Sequence, residues 1–251
     1  MTPAPAAAKK QNQYSGSIQE PAVPQTASEL RWVRPPQQTR SQETLDRILD
    51  AAEALIAEKS FEDTRVSDVV ALAGSSVGAF YARFRDKEGL LHALYDRFLA
   101  EATATADAAL DPERWKGATI PEILGSVIRF LVTVFREQGG LLRSFVLRNR
   151  SDAEFGLRQA RLSHYVSSRL CDLLLARRAQ IAHPDPQRAA HFGFMVVFST
   201  LDSTMLFGET YSSGLSFSDD EVASELTRNY LAYLGVASPF HKPPIRNPNA
   251  R

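Results

Sequence analysis

Between Val66 and Phe84, two short apolar runs at helical spacing flank Gly74-Ser75-Ser76. This interrupted pair constrains the chain more than any other stretch. Val66, Val69, Val70 and Ala73 share one face, because residues three and four apart are neighbours on a helix. Gly74 should end that helix, since glycine takes the left-handed conformation of a C-terminus without a Cβ penalty. Thr64 is the expected cap of this helix and Ser76 that of the next. The next helix carries Phe80, Tyr81 and Phe84, and Phe80 and Phe84, four apart, should pack inward. Asp86 should cap a longer helix with Leu90, Leu91, Leu94, Tyr95, Phe98 and Leu99 inward. Upstream, Leu45, Ile48, Leu49, Ala52, Leu55 and Ile56 mark an amphipathic helix, with Thr39 and Gln42 spaced for a capping box.

Helical patterning continues to the C-terminus. Thr119-Ile-Pro-Glu122 opens a helix expected to run to about Gln138 and to end at Gly139-Gly140, and a short helix should span roughly Leu141–Arg150. Ser151-Asp-Ala-Glu154 has capping-box spacing for a helix to about Ile181. Asp185-Pro186, a cap followed by proline at the first helical position, opens a very apolar helix to about Glu209. Ser218-Asp-Asp-Glu221 opens the last helix, to about Leu234. No strand-like alternation of useful length and no internal repeat is present. The fold class is all-α, with about nine helices.

Composition bounds the alternatives. Over 251 residues, 44% are hydrophobic and 23% charged, values that support a sizeable core. The single Cys171 excludes an internal disulfide and a Cys-rich zinc site. Residues 1–38, rich in Pro, Ala, Gln and Ser, read as a disordered tail, and residues 239–251 as a second tail. No signal pattern opens the chain, and the apolar run Phe192–Leu201 is too short to span a bilayer, so a cytoplasmic protein without a membrane partner is expected. Charges balance at 29 basic and 29 acidic residues, so composition does not announce a nucleic-acid partner. The N-terminal forty residues are net basic, including Arg31, Arg34 and Arg40, and residues 41–101 are net acidic. Asp46, Asp50 and Glu53 lie on the polar side of the first helix and should point away from any DNA.

Three short helices, the last two joined by a four-residue turn containing glycine, form a helix-turn-helix pattern. The second helix of such a unit lies in the major groove with its N-terminal residues at base edges. Here Val77, Gly78, Ala79 and Tyr81 are left near that exposed end. Small residues at 78 and 79 permit close approach, and the free N–H groups of the helix N-terminus suit phosphate. Arg83 and Arg85 suit DNA contact and solvated surface about equally.

Arg65-Val-Ser-Asp-Val-Val-Ala-Leu-Ala-Gly-Ser-Ser-Val-Gly-Ala-Phe-Tyr-Ala-Arg-Phe84, followed by Arg85-Asp-Lys-Glu-Gly-Leu-Leu91, resembles the DNA-binding domain of the TetR (tetracycline repressor) family. About residues 40–101 carry the resemblance, most specifically Ala73-Gly74, Gly78, Phe80-Tyr81, Phe84 and Asp86-Lys87-Glu88. The later helices match the family in number, length and order. The resemblance implies a DNA-binding domain over 39–101, with its motif at 65–84, and a helical ligand-binding and dimerisation domain over 102–238. It implies a homodimer, formed through the helices near 186–209 and 219–234, on a palindromic double-stranded operator. It places Val77, Gly78, Ala79 and Tyr81 at the DNA, Tyr81 and Lys87 on phosphates, and Arg40, Thr64, Arg65 and Ser76 beside them. Ser75, Val77, Ala79 and Ala82 depart from the family pattern, in which these positions are often apolar, basic or polar, hydroxyl-bearing and His. Readout by thymine methyls and DNA shape is therefore expected.

The apolar helix at 191–207 should be buried nearly all round, by intramolecular core or a four-helix dimer interface. A pocket for a small apolar or aromatic ligand would draw on Phe130, Val134, Phe145, Tyr165, Phe194 and Phe198, each of which also suits plain core. His164 and His191 have no second ligand at helical spacing, so neither a metal nor a cofactor is expected. No Ser/His/Asp or Cys/His arrangement, phosphate-cradling glycine loop or paired carboxylate setting points to an enzyme. Three readings stay open: a repressor released by a small molecule, a DNA-binding regulator without a ligand and governed by a protein partner or acting structurally on DNA, and a helical enzyme or carrier.

Overall fold

A computed structural model describes residues 39–149, 151–208 and 214–237, with side chains from Gln42 onward. The expected tails at 1–38 and 239–251, with Arg31 and Arg34, lie outside the described residues. The side chains of Thr39 and Arg40 do too, so the Thr39–Gln42 box stays an expectation, and Gln42 donates to Asp46 at 2.8 Å.

The described residues form nine α-helices: α1 (Thr39–Glu58), α2 (Val66–Leu72), α3 (Val77–Tyr81), α4 (Lys87–Ala109), α5 (Ile120–Glu137), α6 (Gly139–Asn149), α7 (Ala153–Leu175), α8 (Pro186–Phe207) and α9 (Asp219–Leu234). A 3₁₀ turn, Arg178–Gln180, follows α7, and no strand occurs among the described residues.

Local chemistry sets most boundaries. Gly74, at φ +58, follows the C-terminal cap of α2. Ser76 accepts from the Ala79 amide, Asp86 from Gly89 and Asp185 from Arg188. Capping boxes form at Thr119/Glu122 and Ser218/Glu221. Three expectations are corrected. Thr64 does not cap α2; its buried hydroxyl donates to the Ser60 carbonyl at 2.7 Å. Asp152, not Ser151, caps α7, and the Ser151 hydroxyl turns back to the Arg148 carbonyl. Gly139 and Gly140 begin α6 instead of merely ending α5. A Cβ on Gly140 would lie 2.7 Å from the Ile56 carbonyl oxygen, so glycine is what allows α6 to reach the end of α1.

Two apolar cores result. One joins α1–α4 through Leu45, Ile48, Phe80, Phe84, Leu91 and Leu94, and it also takes Leu141, Leu142 and Phe145 of α6 and Phe155 of α7. The other joins α5, α7, α8, α9 and the end of α4 through Ile123, Leu124, Leu170, Leu174, Phe194, Val197 and Tyr230. Ion pairs bind α4 to its neighbours. Arg97 holds Asp50 and Glu53 of α1, each at 2.7 Å, and Arg148 of α6 holds Glu88 at 2.6 Å. Arg158 of α7 pairs with Asp96 and lies over the Tyr95 ring, 4.9 Å from its centroid. His92 Nε2 lies 3.3 Å from the Asp152 carboxylate.

Helix α8 is not buried all round within one chain. Ala189, Ala190, Gly193, Phe194, Val197 and Leu201 pack inward, while Phe192, Met195, Ser199 and Thr200 face out. The run Phe192–Leu201 is too short to span a bilayer, but the whole helix α8 is long and apolar enough to cross one. Its inward face is committed to the core of α5, α7 and α9.

Candidate nucleic-acid interface

Phe80 and Phe84 are both fully buried and their rings meet at 4.9 Å, which anchors the inward side of α3. The opposite side of this five-residue helix is open: Val77 is 48% and Tyr81 52% exposed, and Gly78 is exposed as well. Ala79 is half-buried, and its amide is taken by the exposed cap Ser76. The Tyr81 ring stands edge-on to Phe80 at 5.3 Å, so the core fixes the direction in which its phenol leaves the helix.

The flanking residues differ in availability. Arg65 is exposed. Lys87, at the first position of α4, donates to the Glu62 carbonyl at 2.9 Å and lies 4.3 Å from the Phe61 ring centroid. Burial there lowers its ammonium from the ordinary lysine value. Thr64 is only 2% exposed, so its hydroxyl is not presented to a partner. Arg40 belongs to α1, and its side chain lies outside the described residues. The two arginines left open by the sequence part here: Arg83 turns back to the Ala79 carbonyl at 3.0 Å, whereas the Arg85 side chain is 95% exposed beside the motif. Asp50 and Glu53 are held by Arg97, and Asp68 by Lys59 at 2.7 Å, so these three carboxylates are engaged within the domain.

A cavity of about 840 Å³ opens between α4, α5, α6, α7 and α8. Phe130, Val134, Phe145 and Phe198 line it. Tyr165 and Phe194 do not: the Tyr165 hydroxyl is turned to Asp107, and Phe194 sits in the second core against Phe198, with ring centroids 4.5 Å apart. Phe135 and Asp202 also line it, although the sequence did not single them out. For Asp202 the available signal was its place four residues after Phe198. His191 Nδ1 is engaged with the Ser167 hydroxyl at 2.7 Å, His164 is exposed, and no group of three metal-ligating side chains occurs among the described residues.

Comparison with known proteins bears on both the helix-turn-helix and the helical body. Residues 48–94 match the family model of bacterial regulatory proteins, tetR family. The HTH-type transcriptional repressor ComR of Escherichia coli K12 is 35% identical over 65 residues, 26% of this chain and 31% of ComR. The probable HTH-type transcriptional regulator ArpR of Pseudomonas putida is 33% identical over 103 residues, 39% of this chain and 43% of ArpR. The chain thus spans less than half the length of the curated relatives it matches. Among solved structures, a TetR-family transcriptional regulator of Mesorhizobium loti aligns with TM-score 0.62 at 20% identity, over 79% of this chain and 98% of its own. FadR of Bacillus subtilis, solved with stearoyl-CoA, aligns with TM-score 0.57 at 18% identity, over 75% of this chain and 98% of its own. Helix-turn-helix and helical body together have the fold of these regulators. The match to the tetR family of bacterial regulatory proteins lies in residues 48–94, and the helical body shares the fold of these regulators.

Proposed function

We propose that this protein is a DNA-binding transcriptional regulator that acts in the cytoplasm as a homodimer on a palindromic operator and is released by a small molecule. The observation that carries the reading is the exposed side of α3, where Val77, Gly78 and Tyr81 stand free while Phe80 and Phe84 lock the helix from behind. Val77 and Ala79 meet base edges and thymine methyls, Tyr81 gives its hydroxyl to a phosphate, and Arg65, Ser76 and Lys87 line the same edge. Arg40 extends the contact from α1. Residues 39–101 serve as the DNA-binding domain and 102–238 as the sensor and dimer domain.

The dimer forms through α8 and α9, where Phe192, Met195 and Tyr233 make an apolar surface on one chain and the Phe192 and Tyr233 rings meet at 5.2 Å. A twofold axis there sets the spacing of the two reading helices, which must be about 34–36 Å to enter successive major grooves. The cavity is the sensor. Its volume of about 840 Å³ is that of a small-molecule site, and the FadR structure from Bacillus subtilis, which contains stearoyl-CoA, supports a ligand site in a fold of this kind. A ligand that prefers the state with the wrong spacing lowers operator affinity by its differential affinity for the two states.

Footprinting on the DNA flanking the chain's own gene tests this reading. A protected palindrome of two half-sites about one helical turn apart is expected. Absence of any protected site at low salt would refute it.

A further inference from the structure

The lining of the cavity carries a legible charge, and the inference from it rests on the proposal that the cavity is a ligand site. Asp202 lies on α8 four residues after Phe198, so the two side chains leave the same face, and both line the cavity. The Asp202 carboxylate has no hydrogen-bond or ion-pair partner among the described residues. Burial raises its carboxyl above the ordinary carboxylate value, and no neighbouring charge opposes that rise. A carboxylate half-buried in a largely apolar wall without a partner is less well solvated than in bulk water, and a bound cation relieves that loss.

The surroundings suit such a cation. The other ionisable carboxylates on the lining are Glu101 and Glu137, against Arg114 as the basic group, so the wall is net negative. Arg114 itself leans on the Trp115 ring, 5.9 Å from its centroid. The remainder is largely aromatic and aliphatic. Phe135 meets Phe198 edge-on at 5.8 Å, and Phe130 is 43% exposed. Aromatic faces attract cations, and ammonium groups with apolar substituents above all, because such ions lose little hydration on entering. A fatty anion would instead set its charge against three carboxylates.

We propose that the cavity binds a lipophilic cation, an amine or quaternary ammonium with an aryl or alkyl body, with its charged head at Asp202 and its body among Phe130, Phe135 and Phe198.

Calorimetric titration of the full-length dimer with three probes of one shape tests this: 4-phenylbutyltrimethylammonium, 4-phenylbutan-1-ol and 4-phenylbutanoate. The cation should bind about tenfold or more tighter than the alcohol, and the carboxylate weakest of the three. Asp202→Asn should abolish the preference and leave the alcohol's affinity unchanged, and Asp202→Glu should keep the preference. Thermal melting of both variants checks that they fold. Equal or tighter binding of the alcohol or the carboxylate, or a preference that survives Asp202→Asn, overturns the assignment of charge while the cavity remains a ligand site. If none of the three binds, the cavity fails as a site for ligands of this size, and this inference fails with it.

Discussion

At the scale of single residues, Tyr81 and Lys87 are where the proposed contact with DNA can be separated from stability of the fold. Tyr81 is half exposed and its hydroxyl supports nothing in the core. Tyr81→Phe should therefore weaken operator binding by about 1 kcal/mol, the net worth of one hydrogen bond, with an unchanged melting temperature. Lys87→Ala should weaken it about tenfold and flatten the salt dependence, since one phosphate contact per protomer is lost. Anisotropy titrations over a salt series read both, and normal affinity in both variants would remove these residues from the interface. Gly193 answers to a different constraint. It sits under the ring of Tyr230, whose hydroxyl donates to the Ala190 carbonyl, and a Cβ there would fall within that ring. Gly193→Ala should cost about 1–3 kcal/mol of stability in urea unfolding, through forced separation of α8 and α9. An unaffected unfolding midpoint would mean that the two helices part without strain.

At the scale of elements, α4 carries the coupling between the two cores, and His92 is its pH-sensitive contact. Burial depresses the imidazole below its ordinary value of 6.5, against the opposing pull of Asp152. The folded state thus favours the neutral ring: this contribution is present above pH 6.5 and is lost as pH falls below it. The melting temperature should drop on acidification from about pH 7.5 to about pH 5.5, and His92→Asn should shrink that drop. An identical drop in the variant would locate the sensitivity elsewhere. Helix boundaries written in local chemistry were readable from sequence, as at Gly74, Asp86, Asp185-Pro186 and Ser218/Glu221. Boundaries decided at a distance were not. The expected continuation of α7 to Ile181 breaks after Leu175, and the Arg177 side chain there is drawn to the carbonyls of Trp115 and Ala118, about sixty residues earlier in the chain. Asp152 displaces Ser151 as a cap where its second oxygen also meets His92 of α4. Phe80, Phe84 and the open side of α3 followed from spacing alone. The burial of Thr64 did not, because a hydroxyl that caps and one that folds inward look alike in a sequence. The cavity wall was half legible: an aromatic residue at helical spacing says that it faces inward, not whether another side chain fills the space before it.

At the scale of the whole molecule, the proposed dimer sets the outward apolar face of α8 against a second copy of the chain. Phe192→Asp combined with Met195→Asp should yield a monomer in sedimentation and reduce operator affinity by far more than either contact mutation at α3, because only the dimer spans two half-sites. A variant that remains dimeric would place the twofold axis on another surface. Within each chain, the core around α1–α4 is closed by Leu141, Leu142, Phe145 and Phe155, which arrive from beyond residue 101. Phe145 also lines the cavity, so one ring belongs to the cavity wall and to the floor under Tyr95 and Phe98, at 4.5 and 5.5 Å. For anyone building chimaeras on the proposed reading, this shared ring sets the cut site: a sensor grafted onto a foreign reader should bind its ligand but fail to transmit unless α6 as far as Phe145 and the first turn of α7 are transplanted with the reading head they complete.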